Sequence, residues 1–331
     1  MTTGGTRCGV QRPLPRPRDM WAYQLTAPGR LDRVDVPEPT GLADGYVLLR
    51  TVAGGVCGSD LPVFAGLPGD THPGPVGFPL HEVVGDVVAS RHPRLRVGAR
   101  VVGWALEFNG IAEYVVTHGD QVHEFTATDD PVTAVVIQPL ACVLYPLRRV
   151  DVVGRHVAVL GLGPIGLLFA RAVADAGARR VTGVDVVDRR DMADRFHIDD
   201  VVTGSTAAWS ASLADADRPD VVIEAVGHQT DTLQHAIDAC AVEGHILYFG
   251  IPDVRVYPID MLGMLRKNLT LTAGGTLDRP AVLAEADVRL SADLATYRSL
   301  VTHVLPFDRV QEAFERGRVP KTGQAKIVVR G

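Results

Sequence analysis

The sequence predicts an α/β protein in two parts: a β-rich, barrel-like domain and a doubly wound parallel sheet. Three observations carry this. Short β-like runs divided by Pro, Gly and Asp turn residues fill the stretch from Trp21 to Val116. From about Ala141 onward, apolar strands alternate with helical segments. Between Arg155 and Asp185, a glycine-rich turn links a strand to a helix that leads into a second strand. A chain of 331 residues is long enough for two hydrophobic cores.

Composition excludes several classes. The net charge of −6 lacks the basic surface that non-specific nucleic-acid binding requires. No apolar run approaches the length of a membrane span. Cys8, Cys57, Cys142 and Cys240 are too scattered for a disulfide framework or a zinc finger. These features suggest a cytoplasmic protein without nucleic-acid or membrane partners.

Taken in order, residues 1–19 lack the apolar core of a secretory signal and read as a disordered tail, with Met20 as a natural start. Strands are expected at 21–25, 46–50, 83–89, 100–104 and 111–116. In the second part, strands are expected at 156–160, 180–185, 201–202, 220–225, 245–249 and 269–273. Helices are expected at 165–176, 189–196 and 230–240. After Gly274-Gly275 the pattern loosens, with a helix at 307–316 and a final strand at 325–329.

Gly161-Leu162-Gly163-Pro164-Ile165-Gly166 follows an apolar strand and opens a helix, and Asp185 lies about twenty residues on. Each glycine has its own reason. Gly161 permits the tight turn, Gly163 lets a pyrophosphate approach the backbone, and Gly166 lets helix and strand pack closely. The first helical turn around Pro164, Ile165 and Gly166 offers N–H groups and positive dipole to phosphates. Asp185 can accept bonds from ribose hydroxyls, which favours NAD over NADP. Arg189 and Arg190 follow closely and weaken that preference.

A second stretch, Gly55-Val56-Cys57-Gly58-Ser59-Asp60, precedes Leu80-His81-Glu82. Cys57, His81 and Glu82 are candidate ligands of a catalytic Zn²⁺: thiolate, imidazole and carboxylate can hold the metal and leave one position open. Neighbours on a strand face opposite ways, so His81 and Glu82 both reach a metal only if the backbone turns between them. Asp60 can fix the His81 tautomer. Taken alone, a cysteine is as readily a small buried hydrophobe.

These pieces, with Asp220-Val221-Val222-Ile223-Glu224-Ala225-Val226-Gly227 and the ending His303-x-x-Pro306-Phe307, resemble the zinc-dependent medium-chain dehydrogenase/reductase superfamily, in particular its alcohol, sorbitol and threonine dehydrogenases. The resemblance runs from about residue 21 to the C-terminus. It implies a GroES-like catalytic domain from residues 20–140 and 275–331, with a Rossmann domain, 141–274, inserted. It further implies that Cys57 and His81 bind zinc, that Ser59 handles the alcohol proton, that Asp60 supports His81, and that Glu82 is a ligand or a near neighbour. Arg190 falls where relatives place a basic side chain near the adenosine.

Four departures from the family pattern stand out. The cysteine-rich lobe for a structural zinc is replaced by a short link from Gly103 to Ile111, so one catalytic zinc and no structural zinc is expected. Gln138, a weak ligand, stands where relatives carry Cys or Glu, with nearby Cys142 assigned to the next helix. Pro62 stands where many relatives have a proton-relaying His, leaving His72 and His118 as unassigned alternatives. Leu80 replaces a glycine and is expected to narrow the site.

The implied activity is reversible hydride transfer between a nicotinamide cofactor and a secondary alcohol or polyol, or the matching ketone. The cofactor is NAD, with NADP still compatible. A place in sugar-derived natural-product biosynthesis, such as that of cyclitols or aminoglycosides, fits equally. Trp104, Phe108 and the loop between Phe64 and Phe78 are candidates to line the substrate cleft. Two alternatives stand beside this: a zinc-independent quinone or enone reductase of the same fold, and a non-catalytic nucleotide-binding protein. The family implies a homodimer or homotetramer.

Overall fold

The structure, a computed structural model, describes residues 18–67 and 70–331. The expected tail lies mostly outside the described residues. Its boundary moves, because Asp19 and Met20 already belong to strand β1 (Asp19–Ala27), where Met20 is buried. The Pro28-Gly29 turn, with Gly29 at φ 73°, folds β1 back onto β2 (Arg30–Pro37) as an antiparallel pair.

The first large sheet is built on β3 (Tyr46–Val56), whose side chains alternate in burial along its outer half and are nearly all buried toward Val56. It pairs antiparallel with β4 (Glu82–Ser90), which pairs in turn with β5 (Arg100–Trp104). Strand β6 (Tyr114–His118) pairs with the other end of β3, and β7 (Val122–Glu124) closes onto β5.

The chain then passes through a short turn, Pro131–Ala134, N-capped by Asp130, into the helix Ile137–Leu147. Nine of its eleven residues are buried, as expected of a helix packed on both sides. It runs straight through position 140/141, so the two sheets are joined by a continuous helix and not by a linker.

The second sheet is wholly parallel. Its strands are β8 (His156–Leu160), β9 (Arg180–Asp185), β10 (Asp200–Thr203), β11 (Val221–Glu224), β12 (His245–Tyr248) and β13 (Thr270–Ala273). The order is β10-β9-β8-β11-β12-β13. The order reverses between β8 and β11, which are neighbours, and ligands bind at the carboxyl ends of strands at such a switch point.

The region expected to loosen after Gly275 instead forms two helices, Arg279–Ala292 and Leu294–Leu300. The expected helix at 189–196 is reduced to a single turn, Arg190–Ala193. Finally β14 (Val301–Pro306) and β15 (Lys326–Arg330) return to the first sheet, giving the order β14-β15-β3-β4-β5-β7. Strand β15 lies antiparallel to β3, with Ile327 opposite Val56, so the C-terminus is built into the wall behind Cys57. Among the described residues no helix is long and apolar enough to cross a membrane.

Candidate active site

The glycine turn lies at the switch point. Gly161 takes φ 84° and donates its N–H to the Val184 carbonyl at 2.8 Å. Gly163 precedes the helix Pro164–Asp175 as an N-cap without a capping side chain. A Cβ on Gly166 would stand 1.8 Å from the Gly161 carbonyl oxygen, whereas a Cβ on Gly163 would meet nothing within 4 Å. The first glycine role is therefore conformational and the third is close packing. The space over Gly163 is open, as an approach path for a phosphate requires. Asp185 ends β9 and is held by the turn itself: Oδ2 accepts from Leu162 N at 2.6 Å and Oδ1 from Val187 N at 2.8 Å. Each oxygen retains a second lone pair for a hydroxyl.

Cys57, His81 and Glu82 come together, with one ligand atom from each within 4.8 Å of the others. The adjacency of His81 and Glu82 is resolved locally. Strand β4 begins only at Glu82, so His81 lies outside the pleat, with its carbonyl accepting from Ala105 N at 2.8 Å. Asp60, 1% exposed, accepts from Cys57 N at 3.0 Å through Oδ2 and lies 2.8 Å from His81 Nδ1 through Oδ1. That contact places the proton on Nδ1 and leaves Nε2 as the ligating atom. Burial pulls the imidazole pKa down, but the Asp60 charge and hydrogen bond outweigh it and hold His81 well above its ordinary value. Ser59 Oγ donates to the Cys57 sulfur at 3.3 Å.

One neighbour of this group has no counterpart in the sequence reading. Lys326, 1% exposed, donates to Glu82 Oε1 at 2.6 Å and to the Val56 carbonyl at 3.0 Å. Its Nζ is also 2.5 Å from Oε2, so both carboxylate oxygens face the ammonium. A buried carboxylate, a thiol and an oriented imidazole, with ligand atoms within 4.8 Å of one another, match the donor set of a catalytic zinc.

Two cavities meet here. One, of about 550 Å³, runs from Cys57 and Glu82 past Pro62 to Gly163, Arg189 and Lys326. The other, of about 460 Å³, holds Cys57, Ser59, His81, Trp104, Phe108 and Gln138 among its walls. Phe108 packs edge-on to His81, with ring centroids 5.1 Å apart. Leu80 lines neither cavity. It is fully buried where Gly54 and Gly110 leave room for it, so the expected narrowing does not occur.

Gln138 and Cys142 lie one turn apart on the same helix, correcting the assignment of Cys142 to a later one. Gln138 Nε2 points its donor at the Cys142 sulfur, 3.6 Å away. Burial pushes the Cys142 thiol up to about 12. Arg190 pairs with Asp188, exposed and outside both cavities, while its neighbour Arg189 turns inward. Arg189 Nη1 donates to the Gln324 carbonyl at 2.6 Å, and its buried Nε has no partner.

Neither His72 nor His118 reaches the cavities. His72 meets the Leu25 carbonyl and His118 lies beside Asp120. The histidine that lines both cavities is His228, in the left-handed region at φ 55°, with Nδ1 2.6 Å from Asp253 Oδ1. The sequence offered one signal for it: it follows Gly227 at the end of β11, where a switch-point loop would lie.

Comparison with known proteins agrees with this architecture. The family model for the alcohol dehydrogenase GroES-like domain matches residues 43–129, and that for zinc-binding dehydrogenases matches residues 164–288, between them more than half of the chain. An L-threonine 3-dehydrogenase of Saccharopolyspora erythraea is 29% identical, over 90% of this chain and 95% of its own. A D-altritol 5-dehydrogenase of Agrobacterium fabrum is also 29% identical, over 87% of this chain and 95% of its own. Among solved structures, an Escherichia coli CFT073 alcohol dehydrogenase complexed with NADH superposes with a TM-score of 0.81 at 19% identity, covering 95% of this chain and 99% of that one. The chain belongs to the zinc-dependent medium-chain dehydrogenase/reductase superfamily and is an oxidoreductase of the alcohol dehydrogenase type.

Proposed function

We propose that the protein moves a hydride between NAD and a secondary alcohol or polyol, or the matching ketone, at a single zinc held by Cys57, His81 and Glu82. The observation that carries this reading is the convergence of those three ligand atoms within 4.8 Å, in a cavity continuous with the one reaching Gly163. A bound Zn²⁺ supplies Lewis acidity toward the reacting oxygen. The nicotinamide supplies the hydride acceptor or donor. Asp185 favours an unmodified ribose, because a 2′-phosphate beside its carboxylate is repelled.

The chain's own residues do the rest. Asp60 keeps the His81 proton on Nδ1 and, through Cys57 N, fixes the loop that carries the thiolate. Lys326 neutralises Glu82, which makes its burial tolerable. Ser59 hydrogen-bonds the reacting oxygen and takes or returns its proton. Alcohol oxidation releases one proton for each hydride, and Pro62 cannot carry it. His228, its Nδ1 held by Asp253 and its ring at the junction of the two cavities, passes that proton to water.

The test is zinc content measured with Cys57→Ala. The wild-type protein carries about one zinc, and the variant loses both metal and turnover yet binds NADH normally. Active wild-type protein holding less than about a tenth of an equivalent overturns the assignment.

A further inference from the structure

The substrate cavity contains a guanidinium that no carboxylate answers. Arg279 begins the helix Arg279–Ala292 and lines the same cavity as Cys57, Ser59 and His81. Its guanidinium carbon lies 4.6 Å from the centroid of the Trp104 ring. Trp104 ends β5 directly opposite Glu82 on β4, so the stacking ring belongs to the strand beside the metal ligands.

The only hydrogen bond the Arg279 side chain makes among the described residues is from Nη1 to the Gln121 side-chain carbonyl, a neutral acceptor. It takes part in no ion pair among them, whereas Arg50, Arg100, Arg171 and Arg190 each meet an aspartate. The nearest acids in sequence to Gln121 and Arg279 are otherwise engaged. Asp120 takes Arg94 and His92, and Asp278 caps Ala281 N. Burial depresses the Arg279 pKa, which indicates a partly desolvated charge without a compensating anion. An arginine held over an aromatic ring, with Nε and Nη2 uncommitted, presents the planar fork that matches an oxyanion. Among the described residues no acceptor takes those donors.

We infer that the alcohol this enzyme oxidises carries an anionic group, a carboxylate or a phosphate, which Arg279 holds while the hydroxyl lies at the Cys57–His81–Glu82 site. This rests on the reading of that site as a dehydrogenase centre and names its substrate class. The anion does not react. It fixes which carbinol of a polyhydroxylated chain reaches the hydride position, and thereby converts a general polyol pocket into a regiospecific one.

The experiment compares a hexitol, the corresponding hexonate and the corresponding hexitol 6-phosphate, by calorimetric binding to the zinc-loaded enzyme–NADH complex and by turnover. Wild type should bind one or both anions about 10- to 100-fold more tightly than the hexitol. Arg279→Gln should remove that advantage and leave hexitol binding within about threefold, while Arg279→Lys should keep part of it. Whichever anion loses more identifies carboxylate or phosphate as the group held. Binding of all three ligands at equal strength in wild type overturns the inference. An equal loss for all three in Arg279→Gln also overturns it and reduces the residue to a strut for Trp104 and Gln121. Anion binding that depends on Arg279 without turnover of any alcohol would sustain the subsite and count instead against the dehydrogenase reading.

Discussion

His228 shows how far a single residue can be read. A non-glycine residue at φ 55° is strained, and such strain concentrates at functional positions. Its contact with Asp253 spans 25 positions and depends on the loops after β11 and β12 meeting, which no local pattern reveals. The same holds for Lys326 and Glu82, 244 positions apart, and for the inward turn of Arg189 where Arg190 was expected. Cys57, Asp60 and His81, by contrast, were candidates from the sequence because the motifs that carry them resemble those of a known family, which residue type alone would not have decided. The variant to make at 228 is His228→Asn, because Asn tolerates the left-handed backbone. Alcohol oxidation should fall about 100-fold or more, with added imidazole restoring a part and NADH affinity unchanged. A wild-type rate, or a loss that imidazole cannot touch and that coincides with lost NADH binding, would refute the relay.

At the scale of elements, the glycine turn divides into parts that behave differently under the same substitution. Gly166→Ala drives a methyl group into the Gly161 carbonyl, so the strand and helix must separate. Gly163→Ala meets open space in the protein alone and should obstruct only a ligand lying across the turn. The expected outcome is that Gly166→Ala lowers the denaturation midpoint, at a cost of about 1–3 kcal/mol. Gly163→Ala should keep wild-type stability but weaken NADH binding about tenfold or more. Unchanged NADH affinity in Gly163→Ala would remove the pyrophosphate from that position. The parallel strands were readable because they are short apolar runs closed by glycine. The helix Arg279–Ala292 was missed, although Asp278 caps it, Pro280 lies in its first turn, and Val282, Leu283, Ala286 and Leu290 repeat at helical spacing. Its mean pattern is diluted by Arg279, Glu285 and Arg289, so the apolar stripe is narrow. The single turn Arg190–Ala193 shows the opposite error, with helix-forming residues overruled by the short span available before β10.

Across the whole molecule, the proposed catalytic group depends on segments far apart in the chain closing one sheet. Strand β15 brings Lys326 to Glu82, and the Arg279–Ala292 helix brings Arg279 to Trp104. Beside its buried apolar stripe, that helix carries Asp287, 5% exposed. Its carboxylate accepts from Thr126 N at 2.9 Å, Thr126 Oγ1 at 3.1 Å and Ala127 N at 2.9 Å, with His123 Nε2 at 3.5 Å. These bonds join the segment that follows β7 to a helix about 160 residues later in the chain. An acid on an otherwise apolar helix face looks like an error in the pattern, and here it is the fastening between that helix and the segment after β7. Asp287→Ala leaves two backbone donors and one hydroxyl without partners and should cost about 2–4 kcal/mol, read as a lower urea midpoint at unchanged slope. Because Arg279 begins the same helix and the glycine turn lies in the other sheet, the KM for the alcohol should rise while NADH affinity holds. A variant that keeps the wild-type midpoint, or that weakens NADH and alcohol alike, would show that this fastening does not set the geometry of the substrate cavity.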